Sequence, residues 1–350
     1  MKFLPALGGK PSEASRARMS KSQHYDSRKF NNLIPTSTAI DASFLEKWKV
    51  MGQFIKGNPK GKPAKPLQPV PLDADAWVRA EDDRVAWFGH SAVLLKLDGK
   101  TLLIDPMLGR APSPVPIFGG KRFSAELPAA VDKLPPIDAV LLSHDHYDHL
   151  DYGTIVLLRD RVKRFYTPLG VGGHLESWGV PADRIVELDW WEETVFEGIR
   201  LACTPARHFS GRSLVGRDGT LWCSWVLHGN QSHVFFSGDS GYGPHFQQIG
   251  GKYGPFDLTM VECGQYDERW AAIHMLPEET VQAHLDVRGD VLIPIHWAAF
   301  TLALHDWTDP VERAQRQAYE LGVRIATPRI GEVVPIGAGG TLSASAWWKG

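Results

Sequence analysis

The sequence predicts an α/β (α+β) fold in which two mixed β-sheets pack together and helices lie on the outside. The chain has 350 residues and is 43% apolar, which is enough for a sizeable core. Apolar, β-rich runs within residues 84–108 are separated by Asp-Gly-Lys at 98–100, a typical hairpin signal. Helix-like segments then alternate with apolar strands, and hairpins followed by this alternation favour two sheets with outer helices.

The first 72 residues differ in composition and periodicity from the domain predicted over residues 73–350. Residues 57–73 contain five prolines and almost no periodicity, which indicates an extended, semi-rigid linker. Residues 37–57 have the amphipathic pattern of a short helix. We therefore expect a basic, Pro-rich N-terminal extension with one short helix, followed by a single large domain.

The net charge of −2 hides an uneven distribution. Residues 1–70 contain 13 Lys and Arg against 4 Asp and Glu, whereas the remaining residues contain 25 basic and 36 acidic side chains. A basic arm on an acidic body suits an anionic surface such as phospholipid headgroups, and a solvated Lys-rich linker is the alternative. The acidic body argues against a nucleic-acid partner. A homodimer formed through the extension remains a further hypothesis.

Cysteine usage and hydropathy bear on location. The three cysteines form no CxxC pair, so neither a disulfide framework nor a Cys-based zinc site is expected. No apolar run approaches the ~18 residues of a transmembrane helix, and the N-terminal apolar stretch is short for a signal peptide. We expect a cytoplasmic protein, peripheral to the membrane if the basic arm binds lipid.

The segment LLSHDHYDHLD at 141–151 is the strongest chemical signal. Three histidines and three aspartates follow an apolar run directly, and such groups are costly to bury, so the segment is a solvated turn or a metal site. Three further apolar strands end in His208, Asp239 and His296. Because sites in α/β sheets gather at the carboxyl ends of strands, four such endings favour one shared site.

The spacing of the motif predicts two metal positions. Two histidines two residues apart can face one ion, and the following Asp-His pair can reach a second. Imidazole and carboxylate ligands without thiolate suit Zn²⁺, with Fe or Mn²⁺ as alternatives. The predicted ligands are His144, His146 and His208 for the first ion, Asp148, His149 and His296 for the second, and Asp239 as the bridge. Two ions ~3.5–4 Å apart can generate hydroxide from water near neutral pH.

The run SHDHYDHLD resembles the signature of the metallo-β-lactamase-fold superfamily of metallohydrolases. The three downstream ligands follow in the order that this family uses, and the resemblance covers roughly residues 80–345. It implies an αββα sandwich with a dinuclear metal centre between the two sheets. Residue by residue, it implies the same seven ligands.

Several segments resemble one branch of that superfamily, which contains the N-acylphosphatidylethanolamine-hydrolysing phospholipase D. They are HYDSRKFNN, WFGHSAVLL, TPARHFSGR, FFSGDSGYGPHF, HMLPEETVQAH and IHWAAFTLALHDW. The resemblance implies that a metal-bound hydroxide attacks the phosphorus of a phosphodiester, with an N-acyl phospholipid as a candidate substrate and Asp148 and His274 as catalytic residues.

Other functions stay open. A weaker resemblance to the ascorbate-6-phosphate lactonase branch makes hydrolysis of a lactone, ester or thioester the alternative. A nuclease would need a basic groove, which the acidic body argues against. Metal binding without catalysis is a further alternative, because a fold alone does not fix function.

Residues outside the seven ligands are expected to touch the substrate or to hold the ligands. His274 precedes a helix N-terminus, where an anion can bind, although packing is the alternative. His90 ends a strand-like run, and Arg212 could grip a phosphate oxygen with its planar fork, although a turn residue and a surface arginine are the alternatives. Histidine ligands usually donate their second N–H to a carboxylate or carbonyl. The candidates for supporting them are Asp105, Asp151 and His305.

Overall fold

The computed structural model describes residues 5–37, 44–115, 120–213, 216–337 and 345–349. The strands are β1 (Arg84–Trp87), β2 (Val93–Leu97), β3 (Lys100–Ile104), β4 (Ala139–Leu141), β5 (Arg164–Pro168), β6 (Ile185–Leu188), β7 (Glu193–Phe196), β8 (Ile199–Thr204), β9 (Ser224–His228), β10 (His233–Phe236), β11 (Phe256–Glu262), β12 (Gly289–Ile295), β13 (Arg324–Ile325) and β14 (Val333–Pro335). The helices are α1 (Glu13–Met19), α2 (Phe44–Lys56), α3 (Ala74–Arg79), α4 (Tyr152–Leu158), α5 (Gly172–Ser177), α6 (His245–Tyr253), α7 (Pro277–Asp286) and α8 (Asp309–Glu320).

The strands form two mixed sheets of seven. The first has the order β14-β1-β2-β3-β4-β5-β6 and the second β13-β12-β11-β10-β9-β8-β7. In the first sheet β14, β1, β2 and β3 pair antiparallel, and β3 to β6 pair parallel. The predicted turn between β2 and β3 is a tight hairpin in which Asp98 and Gly99 both have positive φ, as a two-residue turn of this type requires.

The hydrophobic core consists of three main clusters, one between the two sheets and one between each sheet and its outer helices. Most strands are therefore buried on both faces. Leu95 and Leu141 of the first sheet share one cluster with Leu201 and Met260 of the second. Opposite faces pack on helices: α4 and α5 contribute to a cluster with the first sheet, and α6, α7 and α8 to one with the second. Strands covered on both sides read as continuous apolar runs, which explains the sequence pattern. The predicted αββα sandwich of two mixed sheets is confirmed.

The N-terminal residues contact the domain closely. The Trp178 indole N–H donates to the Pro5 carbonyl at 2.7 Å, and the Ser15 hydroxyl donates to the buried Glu187 carboxylate at 2.6 Å. The predicted short helix is present as α2, and residues 38–43 of that stretch lie outside the described residues. No helix among the described residues has the length and apolar character needed to cross a bilayer.

Residues 57–73, expected as a linker, are held by main-chain hydrogen bonds. The amides of Leu67, Val70 and Leu72 donate to carbonyls of the body at 3.0, 2.8 and 2.9 Å. Proline fixes φ in an extended conformation, and the residues between the prolines can still donate main-chain hydrogen bonds. The segment is therefore extended and is bound to the body of the protein. The domain boundary at residue 72 stays a prediction.

Arg212 ties the N-terminal residues to the polar motif instead of facing a substrate. Its side chain is buried, and Nε and Nη2 donate to the Ala6 carbonyl at 3.1 and 2.8 Å. Nη1 donates to the Asp145 and Leu150 carbonyls at 2.6 and 2.8 Å, and the guanidinium lies 4.1 Å from the Tyr147 ring centre. Every guanidinium nitrogen is engaged by a main-chain acceptor, so the expected phosphate contact is wrong.

We expect Arg212→Ala to lower the free energy of unfolding by about 2–4 kcal/mol, because three carbonyls, two of them in buried hydrogen bonds, lose a charged donor. Urea unfolding measures the change. The control is Arg324→Ala, which removes a half-exposed ion pair with Asp290 and should cost less than about 1 kcal/mol. Wild-type stability of the Arg212 variant together with weakened binding of inorganic phosphate would contradict the structural role.

Candidate metal centre

Four strand ends converge at one edge of the sandwich and bring the seven predicted ligands together. The motif follows β4, whereas the other three residues follow β8, β10 and β12 within four residues of the strand end. Ligand atoms of the gathered side chains lie within 4.8 Å of one another in several overlapping groups. The motif ends a strand of the first sheet and the other three residues follow strands of the second, so the packing of the two sheets brings them together.

The first group consists of three imidazoles and a carboxylate. His146 Nδ1 lies 2.9 Å from His144 Nε2 and 3.2 Å from His208 Nε2. Asp239 Oδ2 lies 3.8 Å from His144 Nε2 and 3.7 Å from His208 Nε2. These four side chains offer a donor set that suits a divalent transition metal.

The second group shares Asp239 with the first. Its Oδ2 lies 3.0 Å from His149 Nε2, and its Oδ1 lies 3.0 Å from His296 Nδ1. Asp148 Oδ2 lies 3.6 Å from His149 Nε2. One carboxylate therefore reaches both groups, which is the position that the sequence assigned to a bridging ligand.

His90 belongs beneath this second group and does not line the cavity above it. The side chain is fully buried, with Nε2 2.9 Å from Asp148 Oδ2 and the ring centre 4.1 Å from that of His296. The His90 carbonyl also accepts from the His296 amide at 2.8 Å. The expected substrate contact is therefore wrong for His90, because its ring orients Asp148 and its main chain fixes His296.

Burial and the neighbouring charges shift the pKa values of these groups in different directions. Burial lowers the pKa of His144 and His208 well below the usual imidazole value, so both are neutral. Burial raises the pKa of Asp239, but the neighbouring imidazoles hold it well below its usual range. Burial lowers the pKa of His149, but Asp239, Asp148 and Asp105 raise it well above 6.5. That excess of negative charge is what a cation would neutralise.

Unpartnered polar atoms show that these residues fit metal ions. His296 Nε2 is buried and makes no hydrogen bond with any described residue. His149 Nε2 and Asp239 Oδ1 each lie 3.0 Å from one ionisable partner but form no well-oriented hydrogen bond with a described residue. Such atoms are rare in folded proteins because no hydrogen bond offsets the free energy of removing them from water. A divalent cation would satisfy donors of this kind.

Asp105 lies within hydrogen-bonding distance of His149, one of the predicted ligands. Its Oδ2 is 2.7 Å from His149 Nδ1, and its Oδ1 accepts from the Ser143 amide at 2.7 Å. The carboxylate therefore fixes His149 so that Nε2 points toward Asp239, and it also fixes the residue before His144.

Two other expected supports contact no ligand. Asp151 is the N-cap of α4 and accepts from the Thr154 amide and hydroxyl at 2.8 and 2.6 Å. His305 accepts from the Gln265 amide at 2.9 Å and lies 2.8 Å from the Asp306 carbonyl. The expectation for both is wrong, because Asp151 Oδ2 caps a helix and both ring nitrogens of His305 contact the main chain of loops.

Sequence reasoning missed Asp145, the residue between the first two histidines. Its carboxylate is buried and accepts from the Gly211 amide at 2.8 Å and the Thr220 hydroxyl at 3.1 Å, with His174 Nε2 at 3.2 Å. Burial raises the pKa of Asp145, but the hydrogen bond with His174 and the charge of Arg212 contribute to holding it well below 3.8. The available signal was the motif itself, in which alternate residues of an extended segment point to opposite sides.

A cavity of about 280 Å³ opens above the two groups. One part of its wall is polar and contains four predicted ligands together with His274. The other part is apolar and consists of Phe209, Trp270, Ile273 and Leu302. The cavity has room for a phosphate or carbonyl group and its nearest substituents.

His274 reaches the cavity from the loop before α7. Its Nδ1 lies 2.8 Å from Oε2 of Glu262, a fully buried carboxylate that sequence reasoning missed. Burial lowers the pKa of His274, but the charge of Glu262 raises it to about 9. The signal for Glu262 was its position at the end of β11, like that of the ligands on the neighbouring strands.

We expect Asp239→Asn to lose bound divalent metal, because the amide removes the charge and one acceptor shared by both groups. Elemental analysis of the purified protein measures the metal content. Asp151→Ala is the control: it should keep its metal and lose about 0.5–2 kcal/mol of stability through the helix cap. Chelation of the wild-type protein should lower its Tm. An unchanged metal content in Asp239→Asn would remove this residue from the ligand set.

The chain resembles known proteins over most of its length. The sequence matches the family described as Beta-lactamase superfamily domain over residues 100–297. An uncharacterized protein of Mycobacterium tuberculosis is 41% identical over 354 residues, covering 99% of this chain and 92% of the relative. The N-acyl-phosphatidylethanolamine-hydrolyzing phospholipase D 1 of Caenorhabditis elegans is 34% identical over 234 residues, covering 63% of this chain and 65% of that protein.

Solved structures support the fold. An isothiocyanate hydrolase from Delia radicum gut bacteria aligns with a TM-score of 0.58 at 20% identity, covering 73% of this chain and 99% of the other. A metallo hydrolase from Ignicoccus hospitalis aligns with a TM-score of 0.55 at 20% identity, with the same coverage. With the family match over more than half of the chain and the geometry above, this chain belongs to the metallo-β-lactamase superfamily of hydrolases.

Proposed function

We propose that this protein is a dinuclear metal-dependent phosphodiesterase that hydrolyses an N-acyl phospholipid in the manner of a phospholipase D. The observation that carries the proposal is the pair of ligand groups joined by Asp239 under a cavity into which His274 projects. The likeness to N-acyl-phosphatidylethanolamine-hydrolyzing phospholipases D of Caenorhabditis elegans and of Saccharomyces cerevisiae, the latter 30% identical over 243 residues and 51% of that protein, supports the substrate class.

The ligand chemistry favours Zn²⁺, with Fe or Mn²⁺ as alternatives. Imidazole and carboxylate donors suit all three ions, and the buried cysteines lie outside both groups. We propose His144, His146 and His208 for one ion, Asp148, His149 and His296 for the other, and Asp239 for both. When bound, two such ions polarise the phosphoryl oxygens and lower the pKa of water.

Two side chains at the cavity wall would move protons. Asp148 is held ionised, since burial raises its pKa but His149 and His90 lower it well below its usual range, and it can accept a proton from the attacking water. The water oxygen forms a bond to phosphorus as the bond from phosphorus to the headgroup oxygen breaks. His274 can give a proton to that leaving oxygen, so the products are a phosphomonoester and an alcohol.

The size of the cavity limits what enters it. A volume of about 280 Å³ accepts the phosphodiester and the atoms next to it, whereas the long acyl chains must remain outside. The apolar wall formed by Phe209, Trp270, Ile273 and Leu302 provides a surface along which a chain can leave the cavity. A lipid would therefore present its phosphate while its tails stay at the bilayer surface.

We expect the metal-loaded protein to hydrolyse bis-p-nitrophenyl phosphate and N-acylphosphatidylethanolamine in mixed vesicles. His274→Ala should lower kcat on the lipid by about 10²–10⁴-fold, because it removes the proton donor. The control is His233→Ala, which alters a histidine stacked on His228 on another strand and should leave turnover unchanged.

Product release is measured by absorbance for the aryl ester and by mass spectrometry for the lipid. Turnover of no phosphodiester by fully metallated protein would contradict the proposal. Hydrolysis of lactones instead would mean that the same centre promotes attack of water on a carbonyl carbon, which is the alternative function.

Membrane contact is the second part of the proposal, and helix α2 is its site. Trp48 and Phe54 are 62% and 42% exposed, and Lys49 and Lys56 are exposed beside them. The Phe54 ring stacks 6.3 Å from that of Trp270, which lines the cavity. A helix with exposed aromatic and basic side chains is typical of binding to an anionic lipid interface, and this one lies at the mouth of the cavity.

We expect the double variant Lys49→Glu/Lys56→Glu to bind phosphatidylserine-containing vesicles at least about tenfold more weakly than wild type, since each lysine contributes about 1 kcal/mol near such a surface. Vesicle sedimentation at low and high salt measures binding. Lys133→Glu/Arg288→Glu, which reverses two exposed charges outside α2, is the control. Equal losses in both double variants would mean that overall charge, and not α2, determines binding.

A further inference from the structure

We propose that Glu262 is a positioning residue, whose buried carboxylate fixes the ring of His274 so that Nε2 faces the cavity. The inference rests on the proposed function for the role of His274. It assigns a role to Glu262, which is not among the site residues predicted from the sequence.

Hydrogen bonds hold the main chain of Glu262 in place. The residue ends β11, which lies between β10 and β12, the strands that lead to Asp239 and His296. Its amide donates to the Ser237 hydroxyl at 3.0 Å, and its carbonyl accepts from the Thr280 hydroxyl at 2.6 Å. The carboxylate therefore projects from a rigid sheet edge.

Both carboxylate oxygens have a separate duty. Oε1 accepts from the Met275 amide at 2.8 Å, and Oε2 lies 2.8 Å from His274 Nδ1. When the carboxylate is ionised it only accepts hydrogen bonds, and in that state His274 Nδ1 carries a proton that points at Glu262. The two bonds hold two successive residues of one loop and so set the position and the rotation of the imidazole.

The consequence for the cavity follows from the geometry of the ring. With Nδ1 turned to Glu262, Nε2 lies on the far side of the imidazole, and His274 lines the cavity. The His274 ring lies 5.0 Å from that of His208 and 5.2 Å from that of His296, so it stands beside both ligand groups. Reacting groups need such fixed orientation, and misplacement by about 1 Å can cost 10²-fold in rate.

A ligand role for Glu262 is the competing explanation. One of its oxygens lies within 4.8 Å of ligand atoms of Asp239, His274 and His296. However, N–H groups of the loop before α7 occupy both oxygens, as is typical of a carboxylate that orients a neighbouring histidine. Metal content separates the two roles.

Glu262→Gln is the decisive variant because it keeps the size of the side chain and reverses one hydrogen bond. If the amide oxygen accepts from the Met275 N–H, the amide NH₂ faces His274 Nδ1, which must then become an acceptor. Glu262→Asp keeps two acceptors on a shorter side chain and is the conservative variant.

The first measurement is nitrogen-15 NMR of the zinc-loaded full chain. We expect His274 Nδ1 to be protonated in wild type and unprotonated in Glu262→Gln. This readout does not depend on any substrate, so it can succeed even where the proposed function fails. An unchanged protonation pattern at Nδ1, or a loss of metal from the Gln variant, would overturn the positioning role.

The second measurement is a double-mutant cycle on a phosphodiester that wild type hydrolyses. Glu262→Gln should lower kcat by about 10–100-fold with KM changed less than twofold, and Glu262→Asp should recover part of the loss. In a His274→Ala background, the same change should cost nothing further in kcat. Additive losses would mean that Glu262 acts other than through His274.

Glu187→Gln is the matched control for loss of a buried carboxylate. Glu187 accepts from the Gly170 and Gly172 amides at 2.9 and 3.0 Å and from the Ser15 hydroxyl, and it lies outside both ligand groups. We expect lower stability with unchanged kcat. A drop in kcat equal to that of Glu262→Gln would show that general destabilisation explains both results.

Discussion

The buried Asp239 carboxylate, surrounded by imidazoles from three other strand ends, is the constraint on which the structure depends. Its Oδ2 lies 3.0 Å from His149 Nε2 and its Oδ1 lies 3.0 Å from His296 Nδ1, while His296 Nε2 makes no hydrogen bond with any described residue. Charged and polar groups are costly to bury unless they are paired. Divalent cations would offset the cost of burying a polar cluster of this kind between two apolar sheets, so metal binding is expected to stabilise the fold as well.

The sandwich supplies rigidity to this cluster from both sides. Parallel pairing of β10, β11 and β12 aligns their carboxyl ends, which places Asp239, Glu262 and His296 side by side. On the other sheet, Asp105 holds His149 from the end of β3. The N-terminal residues contribute through Arg212, whose contacts fix the polar motif from outside the sheets.

The cavity above the cluster joins two kinds of surface. In the proposed reaction the candidate metal ligands and His274 would supply the chemistry, whereas the apolar wall leads toward Trp270 and the exposed aromatic side chains of α2. A phospholipid has the same two parts, with a charged phosphodiester next to long apolar chains. The arrangement is therefore consistent with hydrolysis at a membrane surface, where the substrate stays in the bilayer and only its phosphate enters the site.

The sequence by itself determined the fold class and the seven candidate ligands, because the motif at 141–151 is local and strand ends are visible as apolar runs that stop at a polar residue. It also led to wrong roles for Arg212, Asp151 and His90. Only the tertiary structure decided these roles and revealed Glu262. The physical reason is that Arg212 binds main-chain carbonyls as far as 206 positions away, and carbonyl positions carry no signature in side-chain sequence.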